Sequence, residues 1–302
     1  MRCNLCPRNC NIDRSEQSGY CSAPSEVSIA KVMLHQWEEP GICYGNGSRA
    51  IFFTGCHLKC VFCQNHKISF SSEGVKKSTE ELWQIFLRLE ESGACNINLV
   101  SPTPYVISVS QAIETAIAKG LTLPIVYNCS GYEKREVLRR LDGLVNVYLP
   151  DFKFHNSALA SSYANAPDYR ERAEEAISEM HRQTGKPVWE GNHLKKGTMV
   201  RHLILPNSTE DSIQILKTLY QMFSTDGIVL SLMSQYIPLH QACSFPSLSR
   251  KLTKLEYQKV LRFAEAIGFQ YLYTQSRESA SAKFVPDFTE KELFFLDKYL
   301  LK

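Results

Sequence analysis

The sequence predicts an α/β fold built on a parallel sheet, because strand and helix patterns alternate along most of its 302 residues. From Ala50 onward, six short apolar runs are separated by longer amphipathic stretches, as expected of β-α units. Consecutive parallel strands are joined by right-handed crossover connections, usually helices, so such a series forms either a barrel or an open doubly wound sheet. No Gly-x-Gly-x-x-Gly follows the first run, which disfavours a dinucleotide-binding sheet.

The predicted elements follow from these patterns in chain order. Strands are predicted at residues 50–54, 96–100, 124–127, 145–149, 199–205 and 228–233. Helices are predicted at residues 79–93, 108–119, 134–141, 168–183, 210–223 and 253–267. Thr79 is the expected N-cap of the first helix. Residues 27–37 should add one or two strands, residues 41–47 a glycine-rich loop, and residues 289–301 a short helix that closes the bottom of the fold.

The composition is that of an ordinary globular protein, with 44% hydrophobic and 22% charged residues. A net charge of +3 is too small to favour nucleic acid or an anionic membrane as a partner. No apolar run approaches the ~20 residues of a membrane helix, and the first residues do not lead into a signal segment. Eleven cysteines in such a chain indicate metal ligands rather than disulfides. We therefore expect a cytoplasmic protein.

Three cysteines spaced as Cys56-x3-Cys60-x2-Cys63 follow the first predicted strand. A [4Fe–4S] cubane and a structural zinc site both take four ligands, so three thiolates leave one position open for a substrate or cofactor. The alternative is a structural zinc site completed by a histidine such as His57 or His66.

With the aromatic Phe62 before its third cysteine, this motif resembles that of the radical S-adenosylmethionine (SAM) superfamily. The resemblance implies that Cys56, Cys60 and Cys63 hold a [4Fe–4S] cluster whose free iron binds SAM. It also implies reductive cleavage of SAM to a 5′-deoxyadenosyl radical, with a flavodoxin or ferredoxin as the electron donor. The implied fold is a partial (β/α)6 TIM-type barrel at residues 49–302, preceded by a small Cys-rich metal-binding segment at residues 1–48.

That N-terminal segment carries four cysteines within nineteen residues, Cys3, Cys6, Cys10 and Cys21. They make a complete thiolate set for either zinc or a second iron–sulfur cluster. A cluster could pass electrons to the cluster at Cys56, whereas zinc would only stabilise the fold of a segment that has little hydrophobic core of its own.

Most of the SAM-binding residues that the resemblance implies follow predicted strands, where barrels of this kind place their chemistry, whereas Phe62 belongs to the cysteine motif and Arg201 lies within the fifth strand. They are Phe62, Ser101, Thr103, Asn128, Ser130, Asp151, Lys153, Arg201, Gln235 and Tyr236. An arginine inside an apolar strand needs a partner or a polar cavity, which favours a functional role for Arg201. His202 lies on the opposite face of that strand and is interpreted as a packed histidine.

The group most resembled is that of the pyruvate formate-lyase activating enzymes, which abstract a hydrogen atom from a glycine of a partner glycyl radical enzyme. Two features depart from that group. The turn Ser101-Pro102-Thr103-Pro104 lacks the acidic residue of the usual Gly-Gly-Glu-Pro, and Gln235 or Tyr236 stands where those enzymes have a histidine. The alternatives are radical modification of another protein, RNA or small molecule, and a structural zinc or iron–sulfur protein without catalysis.

Overall fold

The structure is a computed structural model that describes residues 2–35, 38–42, 47–276, 279–281, 283 and 286–288. The helix predicted at residues 289–301 lies outside this range. The described strands are β1 (Val27–His35), β2 (Ser48–Phe53), β3 (Val75–Lys77), β4 (Ile97–Val100), β5 (Ile125–Cys129), β6 (Val147–Pro150), β7 (Val188–Glu190), β8 (His193–Leu203), β9 (Val229–Met233) and β10 (Leu272–Thr274). The described helices are α1 (His66–Ser69), α2 (Thr79–Glu91), α3 (Val106–Ala118), α4 (Arg135–Leu138), α5 (Ser157–Ala164), α6 (Tyr169–Thr184), α7 (Thr209–Phe223) and α8 (Lys254–Ile267).

The sheet confirms the predicted α/β class. Strands β2, β4, β5, β6, β8 and β9 pair in parallel and correspond to the six predicted strands. The described sheet runs in the order β10-β9-β8-β6-β5-β4-β2-β1-β3, so β10 and β3 are its two edges. The parallel strands are neighbours in chain order with no reversal, so right-handed crossovers place their connections on one face, as in a barrel and unlike a doubly wound sheet. With two free edges, this barrel is partial.

Three strands, β3, β7 and β10, were not predicted, whereas β1 lies within the predicted residues 27–37. β10 adds a seventh parallel strand beside β9, and β7 forms a hairpin with the extended first half of β8. β1 pairs antiparallel with β2 and β3, so hydrogen bonding crosses the predicted division at residue 48. No helix among the described residues is both long and apolar enough to cross a membrane.

The N-cap of helix α2 lies one residue earlier than predicted. Ser78, not Thr79, is the N-cap: its hydroxyl accepts from the amide of Glu81, and the Glu81 carboxylate accepts from the amide of Ser78. This is a capping box, whose glutamate must stand three residues after the cap. The helix predicted at 134–141 is one turn of α4 followed by a 3-10 turn.

The connection between β1 and β2 enters the barrel. We call its described residues 38–42 the plug loop. Ile42 is buried against Val126, Val147 and Leu149 inside the sheet. This packing carries Glu38 and Glu39 to the floor of the cavity described below.

Candidate active site

A cavity of about 380 Å³ opens at the carboxyl ends of the parallel strands. Its volume lies in the range of small-molecule sites, ~300–1,000 Å³. The predicted residues that line it are Cys56, Cys60, Phe62, Cys63, Ser101, Asn128, Ser130, Asp151, Lys153, Arg201, Gln235 and Tyr236. The predicted residues that do not are Thr103, Cys3, Cys6, Cys10 and Cys21.

The cysteine loop, residues 55–65, follows β2 and presents its three thiols to this cavity. The Cys63 amide donates to the Cys60 carbonyl (3.1 Å), and the Leu58 amide donates to Cys56 Sγ (3.4 Å). Burial raises the pKa of the Cys63 thiol to about 11 and raises the pKa of Cys60 as well, although Lys153 opposes the latter shift. Such thiols ionise readily only when a bound cation stabilises the thiolate. Three thiols on one loop that line the same cavity are a donor set that fits a metal cluster.

Neither histidine of the alternative zinc site faces this cavity. His57 is 3% exposed, and its Nε2 lies 2.7 Å from the carbonyl oxygen of Tyr132. The His66 ring stacks on His240, with 4.8 Å between centroids. Phe62 packs edge-on against Phe154 and Tyr236 beside the cysteines.

Asp151, Lys153, Arg201 and Asn128 form one network on the cavity wall, in which Asn128 is buried and the three charged residues are partly buried. Lys153 Nζ lies 2.5 Å from Asp151 Oδ2, and Arg201 Nε donates to Asp151 Oδ1 (2.8 Å). Arg201 Nη2 donates to Asn128 Oδ1 (2.7 Å). Burial alone would raise the pKa of Asp151, but Arg201 and Lys153 outweigh it and hold that pKa below its ordinary value. The cavity wall therefore carries two cations on one carboxylate.

The plug loop supplies two cavity carboxylates that sequence reasoning missed. Glu38 Oε2 accepts from Asn98 Nδ2 (2.6 Å), and its Oε1 lies 3.6 Å from Arg201 Nη1. Glu39 Oε2 accepts from Ser231 Oγ (2.9 Å). Burial and the neighbouring Glu38 raise the pKa of Glu39 to about 7. The sequence does contain a signal for these carboxylates. Asn98 and Ser231 are polar residues inside apolar strands, and such residues need hydrogen-bond partners when they are buried.

Thr103 faces away from the cavity, contrary to prediction. It begins a 3-10 turn three residues after the end of β4, and its hydroxyl donates to Glu133 Oε1 (2.6 Å). Glu133 Oε1 also lies 3.7 Å from His57 Nε2. Burial raises the pKa of Glu133 to about 8 and lowers the pKa of His57 to about 4. At neutral pH both groups are therefore mainly uncharged, and their contact is not an ion pair.

Glu133→Gln is expected to remove part of the pH dependence of stability. A carboxyl whose pKa rises from 4.5 to about 8 on folding stabilises the fold fully below pH 4.5 and loses this contribution as the pH rises through 8. From pH 5 to 8 the wild-type protein should lose about 3 kcal/mol more unfolding free energy than the variant. Urea unfolding of both proteins at the two pH values measures this, and parallel pH profiles would contradict it.

Gly131 allows the turn after β5 to approach the end of β6. Its φ is +76°, and a Cβ there would overlap the carbonyl oxygen of Asp151. Gly131→Ala should therefore cost about 2–5 kcal/mol, from left-handed strain and overpacking. Gly143→Ala is the matched control, because Gly143 has φ +80° and open space around it. Equal losses of urea stability in the two variants would show that the contact with Asp151 is unimportant.

The N-terminal cysteines lie behind the cysteine loop, outside the cavity. Burial, with smaller contributions from Cys21 and Cys10, raises the pKa of the Cys6 thiol to about 12. Among the described residues, those of the cysteine loop included, no group of three or more His, Cys, Asp or Glu side chains is arranged to hold a single metal ion. In a cubane each thiolate binds a different iron, so its cysteines need not meet at one point.

Comparisons with known proteins identify the family. The model of the radical SAM superfamily matches residues 50–219, which include all three cysteines of the cysteine loop. An uncharacterized protein of Methanocaldococcus jannaschii is 28% identical over 283 residues, covering 90% of this chain and 76% of that protein.

Three solved structures are similar at low sequence identity. A domain of a pyruvate-formate lyase-activating enzyme from Bacteroides vulgatus has 10% identity and a TM-score of 0.37, covering 66% of this chain and 91% of that one. A maturase of the [FeFe]-hydrogenase has 12% identity and a TM-score of 0.48, and the match covers 76% of this chain and 52% of that one. Methylornithine synthase has 15% identity and a TM-score of 0.47, and the match covers 70% of this chain and 59% of that one. The superfamily match spans more than half of the chain and contains its cysteine motif, so the protein belongs to the radical SAM superfamily.

Proposed function

We propose that this radical SAM enzyme removes a hydrogen atom from a glycine of a partner glycyl radical enzyme. The observation that carries the proposal is the single cavity shared by Cys56, Cys60, Cys63 and the polar strand ends. The three thiolates would hold a [4Fe–4S] cluster, which when bound supplies the electron that splits SAM and yields a 5′-deoxyadenosyl radical.

The remaining cavity residues would bind and orient SAM. The Arg201 guanidinium is a planar fork suited to a carboxylate, and it is already oriented by Asp151 and Asn128. Asp151 and Lys153 place opposite charges at the end of β6, as a ligand with a sulfonium, an ammonium and a carboxylate requires. Phe62, Ser101, Ser130, Gln235 and Tyr236 would complete the contacts with SAM.

The cavity volume favours a slender target. At about 380 Å³ it suits one ligand of the size of SAM and leaves little space for a second buried molecule. A glycine has no side chain, so a loop of a partner protein could bring its Cα to the radical through the mouth of the cavity.

A second candidate is a small molecule with an amino group or several hydroxyls. The partly buried Glu38 and the buried Glu39 support it, because two carboxylates at the cavity floor are acceptors for such donors. In either case the electron donor would be a flavodoxin or ferredoxin. All ten described cysteines are free, which supports our proposal of a reducing, cytoplasmic location.

Incubation of anaerobically reduced enzyme with SAM tests the chemistry by release of 5′-deoxyadenosine. A glycyl radical signal in electron paramagnetic resonance that requires a co-expressed glycyl radical enzyme would support the glycine target. Release of 5′-deoxyadenosine without that signal, but accelerated by a small amine or polyol, would favour the second candidate. No release under strong reduction would contradict both.

A further inference from the structure

The N-terminal segment, residues 3–22, is joined to the cysteine loop by a backbone hydrogen bond between two cysteines. The amide of Cys56 donates to the carbonyl of Cys21 over 3.1 Å. Gly55 makes this approach possible, since its φ is +78° and a Cβ there would lie 2.7 Å from the Cys21 carbonyl oxygen. The two sets of cysteines are therefore held against each other.

Arg8, between Cys6 and Cys10 in sequence, fixes the same interface from its other side. Its Nε donates to the His57 carbonyl (2.8 Å), and its Nη2 donates to the Ala164 carbonyl (2.8 Å). Its guanidinium lies 4.0 Å from the Tyr20 ring centroid and 5.2 Å from that of Tyr132. An arginine committed to carbonyls and aromatic faces is fixed in position.

Lys59, between Cys56 and Cys60 in sequence, makes the reciprocal contact. Its Nζ donates to Ser22 Oγ (2.8 Å) and lies 5.5 Å from the Tyr20 ring centroid. Each of the two cysteine-containing segments thus places a basic side chain against the other.

The segment has an ordered backbone but little apolar core. A short hairpin brings Cys3 to Ile12, with the Cys3 amide donating to the Ile12 carbonyl (2.7 Å). The Tyr20 amide points at Cys10 Sγ (3.5 Å). Within residues 3–22 only Cys21 is fully buried. A segment of this kind usually needs a metal or a disulfide to fold, and its cysteines are free.

We propose that Cys3, Cys6, Cys10 and Cys21 hold a second iron–sulfur cluster that passes electrons to the cluster of the cysteine loop. A zinc ion would only stabilise the fold of this segment. The hydrogen bond from the Cys56 amide to the Cys21 carbonyl instead places the segment directly against the cysteine loop, where a redox group could exchange electrons with a cluster held there. Four thiolates are also the complete ligand set of a cubane. Amide donors to sulfur, such as that of Tyr20, help to set the potential of such clusters.

The proposed transfer moves electrons only. A reduced flavodoxin or ferredoxin is oxidised by one electron, the N-terminal cluster is reduced by one electron, and it is reoxidised when that electron passes across the Cys21–Cys56 contact. No bond forms or breaks, and no proton moves. This role rests on the proposed function, whereas the presence of the cluster does not.

Metal and sulfide analysis of the full-length protein, reconstituted anaerobically with iron and sulfide, tests the site. Two cubanes predict roughly eight irons per chain, and roughly four should remain in Cys3→Ser/Cys6→Ser. The triple variant Cys56→Ser/Cys60→Ser/Cys63→Ser should keep roughly four, with a reducible cluster signal in electron paramagnetic resonance. Cys95→Ser/Cys243→Ser is the matched control for cysteine loss and should keep the wild-type iron content. Zinc in the N-terminal site, or an iron-free triple variant, would overturn the proposal even if the N-terminal variant fails to fold.

Release of 5′-deoxyadenosine with two reductants tests the transfer. In Cys3→Ser/Cys6→Ser, the ratio of flavodoxin-driven to dithionite-driven cleavage should fall at least tenfold, because dithionite is small enough to reduce the cysteine-loop cluster directly. An unchanged ratio would overturn the relay and leave SAM cleavage itself intact. Failure of the wild-type enzyme to cleave SAM with dithionite would instead contradict the proposed function.

Discussion

Cys60→Ala should reduce release of 5′-deoxyadenosine below detection while leaving the barrel folded. Cys60 is 6% exposed and lines the cavity beside Cys56 and Cys63. Alanine cannot bind iron, so the variant has only two of the three thiolates that a SAM-binding cubane requires. The loss of one small side chain should cost about 1 kcal/mol of stability, far less than would unfold a domain of this size.

Anaerobic assay of the reconstituted variant measures this, together with its circular dichroism spectrum. Cys243→Ala is the matched control, because Cys243 is exposed and lies outside the cavity. It should keep wild-type activity. SAM cleavage by the Cys60 variant would show that a different group holds the third iron and would overturn the assignment of the cysteine loop.

Features with a local cause were predictable from sequence. The parallel strands are short apolar runs, and the longer helices between them are amphipathic, so neighbouring residues alone encode both. The short, alanine- and serine-rich α5 has little such contrast and was missed. The three-residue strands β7 and β10 lie on the periphery of the sheet and exist only because β8 and β9 offer them hydrogen bonds.

The lining of the cavity could be predicted only in part, because it is assembled from distant parts of the chain. A position just beyond a strand predicted that Asp151, Lys153 and Ser101 would reach the cavity, but the same rule failed for Thr103. There the chain enters a 3-10 turn, which directs the side chain to the buried Glu133. No local pattern marks the plug loop as an interior segment, because Ile42 and the glutamates are buried by strands far along the sequence.

The plug loop also changes what Arg201 does. A buried arginine on a strand suggested a cofactor ligand, yet its guanidinium already contacts Asp151 and lies near Glu38. Its partners raise the pKa of Arg201 further, so it stays charged. Arg201 therefore offsets buried carboxylates as well as facing the ligand cavity, and a substitution there should affect both stability and SAM affinity.

Arg201→Ala should lower the free energy of unfolding by about 3–5 kcal/mol, because it leaves Asp151 and Glu38 buried with less compensation. It should also weaken SAM binding by at least tenfold, since the planar fork that we propose as the partner of the SAM carboxylate is lost. Arg201→Lys should be intermediate in both, because lysine keeps the charge but not the planar fork. Urea unfolding and calorimetric titration of the anaerobically reconstituted protein with SAM measure the two effects.

The double variant Arg201→Ala/Glu38→Gln separates the two roles. Glutamine removes the carboxylate charge of Glu38 and keeps an oxygen that can accept from Asn98, so part of the lost stability should return. If Arg201 binds SAM directly, affinity should stay as low as in the single variant. If SAM affinity recovers along with stability, Arg201 only neutralises the cavity floor, and the SAM carboxylate must be bound by another cation of the wall, of which Lys153 lies nearest to Asp151.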